Sequence, residues 1–374
     1  MDKIKVMLVF GTRPETIKMA PLVKELKSRE NFETLVCVTA QHRQMLDQVL
    51  SAFRITPDYD LDIMRPGQTL SDITARVLQG LEAVIQKEKL QMVLVHGDTT
   101  TTFAGALAAY YNQTPIGHVE AGLRTYDKYS PYPEEMNRQF VGCMADLHFA
   151  PTELSRQNLL NEGKRPESIV VTGNTAIDAL STTVRDDFSH PLLDWARGSR
   201  LILLTAHRRE NLGEPMHRMF RAIRRVVEEF PDVKVAYPVH LNPLVRKAAE
   251  EELGGCGRIR LAEPLEVVEC HNLLARSYLI LTDSGGIQEE APSLGKPVIV
   301  LRDTTERPEG LKAGTLKLAG TDEETVYSLI KELLTDETEY RRMSQASNPY
   351  GDGQASKRIA GAIEEYFRKR PQAG

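Results

Sequence analysis

Short apolar runs alternate with amphipathic stretches along most of the chain, and turn residues bound each run. This alternation is typical of βαβ units built around a parallel sheet. In the first half of the chain, the apolar runs predict strands at 4–10, 33–40, 92–97, 115–120, 146–151 and 168–174. In the second half, they predict strands at 200–207, 233–240, 258–264, 278–284 and 297–303. The pattern therefore predicts an α/β protein with two Rossmann-like, parallel-sheet domains.

The chain of 374 residues exceeds the size of one ordinary core, so two domains are expected. A stretch rich in charge, glycine and proline near 185–200 marks the crossing between them. We expect an N-terminal domain at 1–184, a C-terminal domain at 185–353, and a helix within 354–374 that packs back on the N-terminal domain. Because open α/β sheets bind ligands beyond the carboxyl ends of their strands, the two sheets are expected to face each other across a deep cleft.

Composition excludes several classes of function. Hydrophobic residues make up 41% of the chain and charged residues 26%, as in a soluble globular protein. The net charge of −5 argues against nucleic acid or an anionic membrane surface as a partner. The first apolar run is short, continues into a charged segment without a cleavage site, and no later run is long enough to span a membrane. These features favour a cytoplasmic protein.

The chain lacks the motifs of the common cofactor sites. Neither GxGxxG nor GxxxxGK[ST] occurs, which leaves a nicotinamide cofactor or a P-loop nucleotide without support. The four cysteines are scattered without a CxxC pair, and histidines, cysteines and carboxylates do not show metal-ligand spacing. We therefore expect a reaction that uses no cofactor and no metal.

A glycine-containing turn after a second-half strand suits a diphosphate. In DSGGIQEE, the amides of Ser284, Gly285 and Gly286 lie at the start of a predicted helix, and Glu290 is placed one turn later to bind a ribose. The alternative is an ordinary glycine-rich turn with a capping box. The segment FGTRPE after the first strand favours the nucleotide interpretation, because Arg13 and nearby Lys18 supply two cationic groups.

Histidines and carboxylates follow other strands. His207, beside Arg208 in TAHRRENLG, is either a hydrogen-bonded structural histidine or a proton donor to a leaving phosphate. His240 ends the next strand. Asp98, Glu120 and Glu134 lie on successive loops of the first half, and several acids around one ligand suit a reaction that removes and returns a proton.

Four threonines follow Asp98 in HGDTTTT, where a helix is predicted to begin. Threonine is a favoured helix cap, so these residues either satisfy the first amides of the helix or offer hydroxyl groups to an anionic ligand.

Taken together, these segments resemble one family, the bacterial non-hydrolysing UDP-N-acetylglucosamine 2-epimerases. The resemblance runs from FGTRPE to the last helix and rests on HGDTTTT, HVEAGLRT, SPYPEEMNR, AHRREN, PVHLNP, LTDSGGIQEEAPSLGKP, LRDTTERPE and NPYGDGQAS. It implies the GT-B fold and reversible conversion of UDP-N-acetylglucosamine to UDP-N-acetylmannosamine by elimination and re-addition of UDP through 2-acetamidoglucal. It also implies a supply of polysaccharide precursors, no cofactor, and a homodimer.

The resemblance assigns roles to individual residues. It implies that the catalytic residues are Asp98, Glu120, Glu134 and His207, without deciding which carboxylate is base and which is acid. It implies that UDP is bound by Arg13, Lys18, Ser284, Gly285, Gly286, Glu290 and Arg307, with the uracil pocket at Leu265 and Cys270. Many relatives have an aromatic residue in place of Cys270. The threonines are expected to cap the helix and to line the sugar site.

The resemblance further implies allosteric activation by a second UDP-N-acetylglucosamine. The residues that match the family's effector site are Gln41, His42, Gln44, Arg208 and His240. Gly67 replaces an arginine of some regulated relatives, with Arg65 as the neighbouring candidate, so weaker activation is expected. Three other functions stay open, namely a hydrolysing epimerase, a GT-B glycosyltransferase and a nucleotide-sugar sensor.

Overall fold

The computed structural model describes residues 3–40, 43–305 and 307–369, without the side chains of 43–45. The chain divides into two compact units. The first unit comprises the residues up to Thr182 together with the segment that begins at Tyr350, and the second unit is Thr183–Pro349.

The first unit is a parallel sheet with helices in the connections. Its strands are β1 (Ile4–Phe10), β2 (Phe32–Val38), β3 (Tyr59–Asp60), β4 (Met92–His96), β5 (Ile116–Val119), β6 (Leu147–Ala150) and β7 (Ile169–Val171). Its helices are α1 (Arg13–Ser28), α2 (Arg43–Phe53), α3 (Leu70–Glu88), α4 (Thr100–Tyr111), α5 (Glu134–Met144), α6 (Glu153–Asn161) and α7 (Thr175–Thr183), the last ending at the unit boundary.

The strand order of this sheet, within the described residues, is β3-β2-β1-β4-β5-β6-β7, with every pair parallel. The order reverses between β1 and β4, and the loops that follow strands on either side of such a reversal diverge to leave a ligand crevice. Both strands are apolar and buried, so they hold these loops on a rigid base.

The second unit repeats the architecture. Its strands are β8 (Arg200–Thr205), β9 (Val233–Pro238), β10 (Ile259–Ala262), β11 (Leu279–Thr282), β12 (Val298–Val300) and β13 (Leu316–Leu318). Its helices are α8 (Pro191–Ala196), α9 (Glu214–Glu229), α10 (Pro243–Leu253), α11 (Val267–Arg276), α12 (Gly285–Ser293), α13 (Pro308–Ala313), α14 (Glu323–Thr335) and α15 (Glu337–Ser344). The parallel order is β10-β9-β8-β11-β12-β13, and it reverses between β8 and β11.

The closing helix α16 (Ala355–Lys369) belongs to the first unit. Arg29 at the end of α1 donates to Glu364 at 2.9 Å, and Asp178 on α7 accepts from the first-turn amides of Ala355 and Ser356 at 3.1 and 2.7 Å. These contacts hold both ends of the helix against the sheet's flanking helices. The sequence-based domain boundaries at 184 and 353 stay predictions.

The predicted fold class, two parallel-sheet α/β domains, is confirmed, and each predicted strand overlaps a strand of the structure. Strands β3 and β13 were not predicted, because β3 has only two residues and the lysine in the middle of β13 interrupts its apolar run. The deep cleft between the domains stays a prediction. None of the described helices combines the length and the apolar character needed to cross a lipid bilayer.

Candidate active site

Glu120 is the centre of a polar cluster at the carboxyl end of β5. Its side chain is 9% exposed, forms an ion pair with Lys18, and accepts from Asn174 Nδ2 at 3.1 Å. The backbone of Glu120 has φ 61°, a left-handed conformation that costs a non-glycine residue energy. Burial raises the pKa of Glu120, but the ion pair with Lys18 and the smaller effects of His96 and Arg138 together outweigh burial and hold the pKa well below its usual range. Glu120 is therefore a carboxylate at neutral pH.

Asp98 lies at the end of the neighbouring strand. It follows β4, forms an ion pair with Arg138 on α5, and its carbonyl accepts from Asn137 Nδ2 at 2.8 Å. Glu134 is the first residue of the same helix and is half-buried. The structure thus connects α5 directly to the loop that carries Asp98.

Gly97 links the two strand ends. It has φ 69°, and a Cβ at this position would lie 3.5 Å from Glu120 Oε1. Its carbonyl oxygen is 2.7 Å from His118 Nε2 on β5. A glycine here lets the β4–α4 loop turn while it stays close to the Glu120 carboxylate.

Buried Glu15 accounts for much of the threonine run. Its Oε2 accepts from the amides of Gly11 and Thr12 at 3.1 and 2.8 Å, and its Oε1 accepts from the hydroxyls of Thr99 and Thr102 at 2.7 and 3.1 Å. Glu15 therefore ties the loop before Arg13 to the loop of Asp98.

The threonines also have the predicted capping role. Thr99 is the N-cap of α4 and accepts from the Thr102 amide at 3.1 Å, while Thr101 contacts Thr39 at 3.0 Å inside the fold. Thr101 and Thr102 are buried and Thr99 is partly exposed. The expected sugar contact of the threonines stays a prediction.

Three histidines are buried on adjacent strands beside this cluster. His96 ends β4, and His118 on β5 is the register partner of His148 on β6. Burial lowers the pKa of His96 to about 4, that of His118 to about 3 and that of His148 to about 4. His96 Nε2 is 3.8 Å from Glu120 Oε2. All three imidazoles are therefore neutral near neutral pH.

The glycine turn of the second unit follows β11. Ser284 is the N-cap of α12 and makes no side-chain cap hydrogen bond within the described residues. A Cβ at Gly285 would lie 3.0 Å from Arg307 Cζ, so the guanidinium packs against the turn. Arg307 Nε donates to Glu289 at 2.8 Å. A helix start beside an arginine is the arrangement that binds phosphate groups.

Glu290 lies one turn into α12, with its Oε2 atom 3.5 Å from His271 Nε2. The other nitrogen of His271 is 2.7 Å from the hydroxyl of Thr183. His271 is 3% exposed, so it is a fixed support for the Glu290 carboxylate. Leu265 and Cys270, the predicted uracil pocket, are partly buried and pack against the same apolar core of this unit.

His207 and Arg208 lie in the loop after β8, and Asp283 fixes that loop. The buried carboxylate accepts through Oδ2 from the amides of His207 and Arg208, both at 2.8 Å, and from Asn211 Nδ2 at 3.2 Å. Asp283 Oδ1 lies 3.4 Å from His207 Nδ1. The rings of His207 and His240 stack with centroids 5.4 Å apart and planes at 14°.

The groups around His207 shift its pKa in opposite directions. Burial lowers its pKa, the Asp283 carboxylate raises it, and His240 and Arg208 lower it again. The net result is a pKa below the usual histidine value. His207 is therefore mostly neutral at neutral pH until a negatively charged group approaches it.

Besides the turn at Ser284 with Arg307, the structure brings predicted residues together in two places. Asp98 and Glu120 lie on adjacent strand ends of the first unit with Lys18, and His207, Arg208 and His240 lie together in the second. Among the predicted effector residues, Gln41 and His42 lie outside the described residues, as does the side chain of Gln44.

Sequence reasoning missed several supporting residues, namely Glu15, His96, Asn174, His271 and Asp283. Glu15 and Asp283 stand inside motifs that were recognised, GTRPE and TDSGG. Neither was singled out, because a buried carboxylate indicates backbone amides that need an acceptor, and burial is not visible in the local sequence.

Comparison with known proteins assigns the family. A family profile described as UDP-N-acetylglucosamine 2-epimerase matches residues 24–364. A Bacillus subtilis protein named UDP-N-acetylglucosamine 2-epimerase is 67% identical over 372 residues, which cover 100% of this chain and 98% of that protein. A crystal structure from Listeria monocytogenes is similar with a TM-score of 0.95 and 58% identity, over 99% of this chain and 98% of that one.

A structure from Neisseria meningitidis, described as UDP-GlcNAc 2-epimerase bound to UDP-GlcNAc, matches with a TM-score of 0.87 and 47% identity. The match covers 96% of this chain and 100% of that one. Such similarity over nearly the whole length confirms the resemblance seen in the sequence. The chain belongs to the UDP-N-acetylglucosamine 2-epimerase family of enzymes.

Proposed function

We propose that this enzyme epimerises carbon 2 of UDP-N-acetylglucosamine reversibly, giving UDP-N-acetylmannosamine, by elimination and re-addition of UDP through 2-acetamidoglucal. The observation that carries the proposal is the pair of carboxylates at adjacent strand ends, Asp98 after β4 and Glu120 after β5, each held by a cation. The Neisseria meningitidis relative bound to UDP-GlcNAc supports the substrate class.

The proposed chemistry needs both a base and an acid. The bond between carbon 1 and the UDP oxygen breaks, and the positive charge that develops at carbon 1 acidifies the proton on carbon 2. A carboxylate takes that proton, and the carbon 1–carbon 2 double bond of 2-acetamidoglucal forms. UDP then adds back to carbon 1 while an acid delivers a proton to the opposite face of carbon 2. General acid–base catalysis of this kind contributes typically ~10²–10⁴-fold in rate.

The first unit supplies the acids. Glu120 is ionised at neutral pH, as a proton acceptor must be, and Lys18 and Asn174 hold its carboxylate in place. Asp98 is oriented by Arg138, and Glu134 begins the helix that carries Arg138. The proposed base and acid are among these three carboxylates.

The second unit supplies the groups expected to bind and release UDP. The amides at Ser284, Gly285 and Gly286, with the Arg307 guanidinium, form the proposed diphosphate site, and Glu290 the ribose site. The other proposed contacts are to Leu265 and Cys270 around the base, and to Arg13 and Lys18 of the first unit. His207 is proposed to stabilise the departing diphosphate, since an imidazolium would balance its negative charge.

Substitution of the acids tests the proposal. Asp98→Asn, Glu120→Gln and Glu134→Gln should each lower kcat by at least ~10²-fold with little change in UDP affinity, because each amide keeps the shape of the acid. Glu167→Gln, which changes a carboxylate that is 67% exposed, is the matched control and should keep wild-type kcat. A residue whose variant turns over at the wild-type rate leaves the catalytic set. Near-normal turnover in all three would rule out the proposed chemistry.

We also propose that a second UDP-N-acetylglucosamine activates the enzyme through Gln41, His42, Gln44, Arg208 and His240. The loop at Gly67 supports the expectation of weak activation. Arg65, the candidate replacement for the arginine missing there, donates to the carbonyls of Asp62 and Met64 at 3.0 and 2.6 Å. Its guanidinium is thus used within its own loop.

We propose further that the enzyme is a cytoplasmic homodimer that supplies polysaccharide precursors. The proposal follows the family resemblance.

A further inference from the structure

We propose that Asp283 is the positioning residue for His207, holding the imidazole with its proton on Nδ1 so that Nε2 is the nitrogen that accepts a proton and meets the leaving phosphate. The catalytic use of His207 rests on the proposed function. The tautomer of His207 does not, because it follows from the contacts of the Asp283 carboxylate alone.

The two oxygens of Asp283 have different partners. Oδ2 accepts from two backbone amides and the Asn211 side chain, at 2.8 to 3.2 Å, which fixes the plane of the carboxylate. Oδ1 is buried, and His207 Nδ1 at 3.4 Å is the polar group that faces it. Among the described residues Oδ1 makes no hydrogen bond, so the facing Nδ1 atom is the candidate donor for it. Since a carboxylate oxygen only accepts, the nitrogen facing it must carry the proton.

A proton on Nδ1 leaves Nε2 as the basic nitrogen of neutral His207. When Nε2 takes up a proton, the imidazolium donates from both nitrogens, to Asp283 on one side and to an anionic oxygen on the other. Asp283 stabilises this charged form, as a buried carboxylate does behind the imidazole of hydrolase triads. Such contacts are often long without substrate and shorten in the reacting complex.

The groups that face the His207 ring come from three elements. Asp283 follows β11, His240 follows β9, and Arg208 belongs to the same loop as His207. Of these, the Asp283 carboxylate alone favours a proton on the ring, while His240 and Arg208 disfavour it. If the negative charge of Asp283 is removed, the remaining neighbours, His240 and Arg208, both disfavour a proton on the His207 ring.

Asp283→Asn separates the two roles of the carboxylate. The two backbone amides require an acceptor, so the asparagine must place its carbonyl oxygen at the Oδ2 position. Its NH₂ group then occupies the Oδ1 position and donates toward His207 Nδ1. The neutral ring must accept there, so the proton moves to Nε2. The substitution keeps the loop and reverses the tautomer.

The test is ¹⁵N NMR of the full chain labelled at its histidine ring nitrogens, with His207→Gln used to assign the His207 signals. His217 is the internal reference, because its Nδ1 contacts a different carboxylate, that of Glu252, at 2.8 Å. The wild type should show neutral His207 protonated at Nδ1, and Asp283→Asn should show it protonated at Nε2 with a lower pKa. The kcat of Asp283→Asn should fall at least ~10²-fold while its affinity for UDP is unchanged.

Asn211→Ala is the matched control, because it removes the other side-chain donor to Asp283 but not the contact with the ring. It should keep the wild-type tautomer. A wild-type His207 protonated at Nε2 would overturn the proposal without any variant, and so would an unchanged tautomer or near-normal kcat in folded Asp283→Asn. If the tautomer reverses but wild-type enzyme does not epimerise its substrate, the proposed function is wrong and the Asp283 assignment stands.

Discussion

The buried histidines of the first unit should make that unit sensitive to mild acid. His96, His118 and His148 are held neutral in the folded state, with pKa values lowered to about 4, 3 and 4, whereas the ordinary value is 6.5. As pH falls below 6.5, the unfolded chain binds protons that the folded unit does not bind. The stability that these residues contribute is therefore present above the ordinary pKa and is lost as pH falls toward 4.

The loss of stability at acidic pH depends little on the exact pKa values of the three histidines in the folded state. At about pH 5.5, one unit below the ordinary pKa, each histidine favours the unfolded state by roughly 1.4 kcal/mol. The three together contribute about 4 kcal/mol, as long as their folded pKa values stay well below 5.5. Burial raises the pKa values of Glu15 and Asp178, which acts in the opposite sense. A variant of one histidine is therefore needed to isolate the contribution of that histidine to the pH dependence of stability.

The assay is urea unfolding at about pH 7.5 and 5.5, comparing the wild type with His148→Gln. Trp195, the one tryptophan of the chain, lies in the second unit, so its fluorescence follows that unit while circular dichroism follows both. Glutamine does not titrate in this range, so His148→Gln should lose about 1.4 kcal/mol less than the wild type between the two pH values. The Trp195 transition should move equally in both proteins.

His217→Gln, in the second unit, is the matched control. It should not change how much stability the first unit loses between the two pH values. The full wild-type loss of stability in His148→Gln between the two pH values would contradict this prediction. That result would mean that His148 binds its proton equally in the folded and unfolded chains, so burial would not be controlling its charge.

Two further predictions concern the buried carboxylate of Glu15 and the proposed effector site. Glu15→Ala should destabilise the first unit by about 2–6 kcal/mol, because the buried amide of Gly11 and the partly buried amide of Thr12 lose their acceptor. Glu15→Gln, which keeps an oxygen there, should cost clearly less, and equal losses in urea unfolding would exclude this role. For regulation, the reverse reaction from pure UDP-N-acetylmannosamine should start with a short lag that traces of UDP-N-acetylglucosamine abolish. Kinetics without a lag, unchanged by Gln44→Ala, would exclude an effector site.

Local patterns were enough to predict the parallel sheets and the loops that carry the candidate site. The strands are apolar runs of ordinary length, and a ligand at their carboxyl ends follows from the geometry of any open α/β sheet. Asp98, Glu120 and the turn at Ser284 could therefore be placed from their positions directly after strands.

The partners of these residues could not be predicted, because they depend on contacts between distant parts of the chain. Lys18 was predicted to bind phosphate, and its pairing with Glu120, which directly follows β5 and lies 102 residues later, was not predicted. Asp283 lies 76 residues from the amide of His207, and only the pairing of β8 with β11 brings them together. Such contacts require the strand order, which the apolar pattern does not contain.

The proposed mechanism requires that carbon 2 loses its proton to the enzyme and regains one from a group that exchanges with solvent. Proton NMR of the enzyme with UDP-N-acetylglucosamine in deuterated water tests it most directly. We expect UDP-N-acetylmannosamine to form, with deuterium at carbon 2 of both epimers. Epimerisation that leaves the original hydrogen at carbon 2, or release of UDP and free N-acetylmannosamine as the main products, would contradict the proposed mechanism.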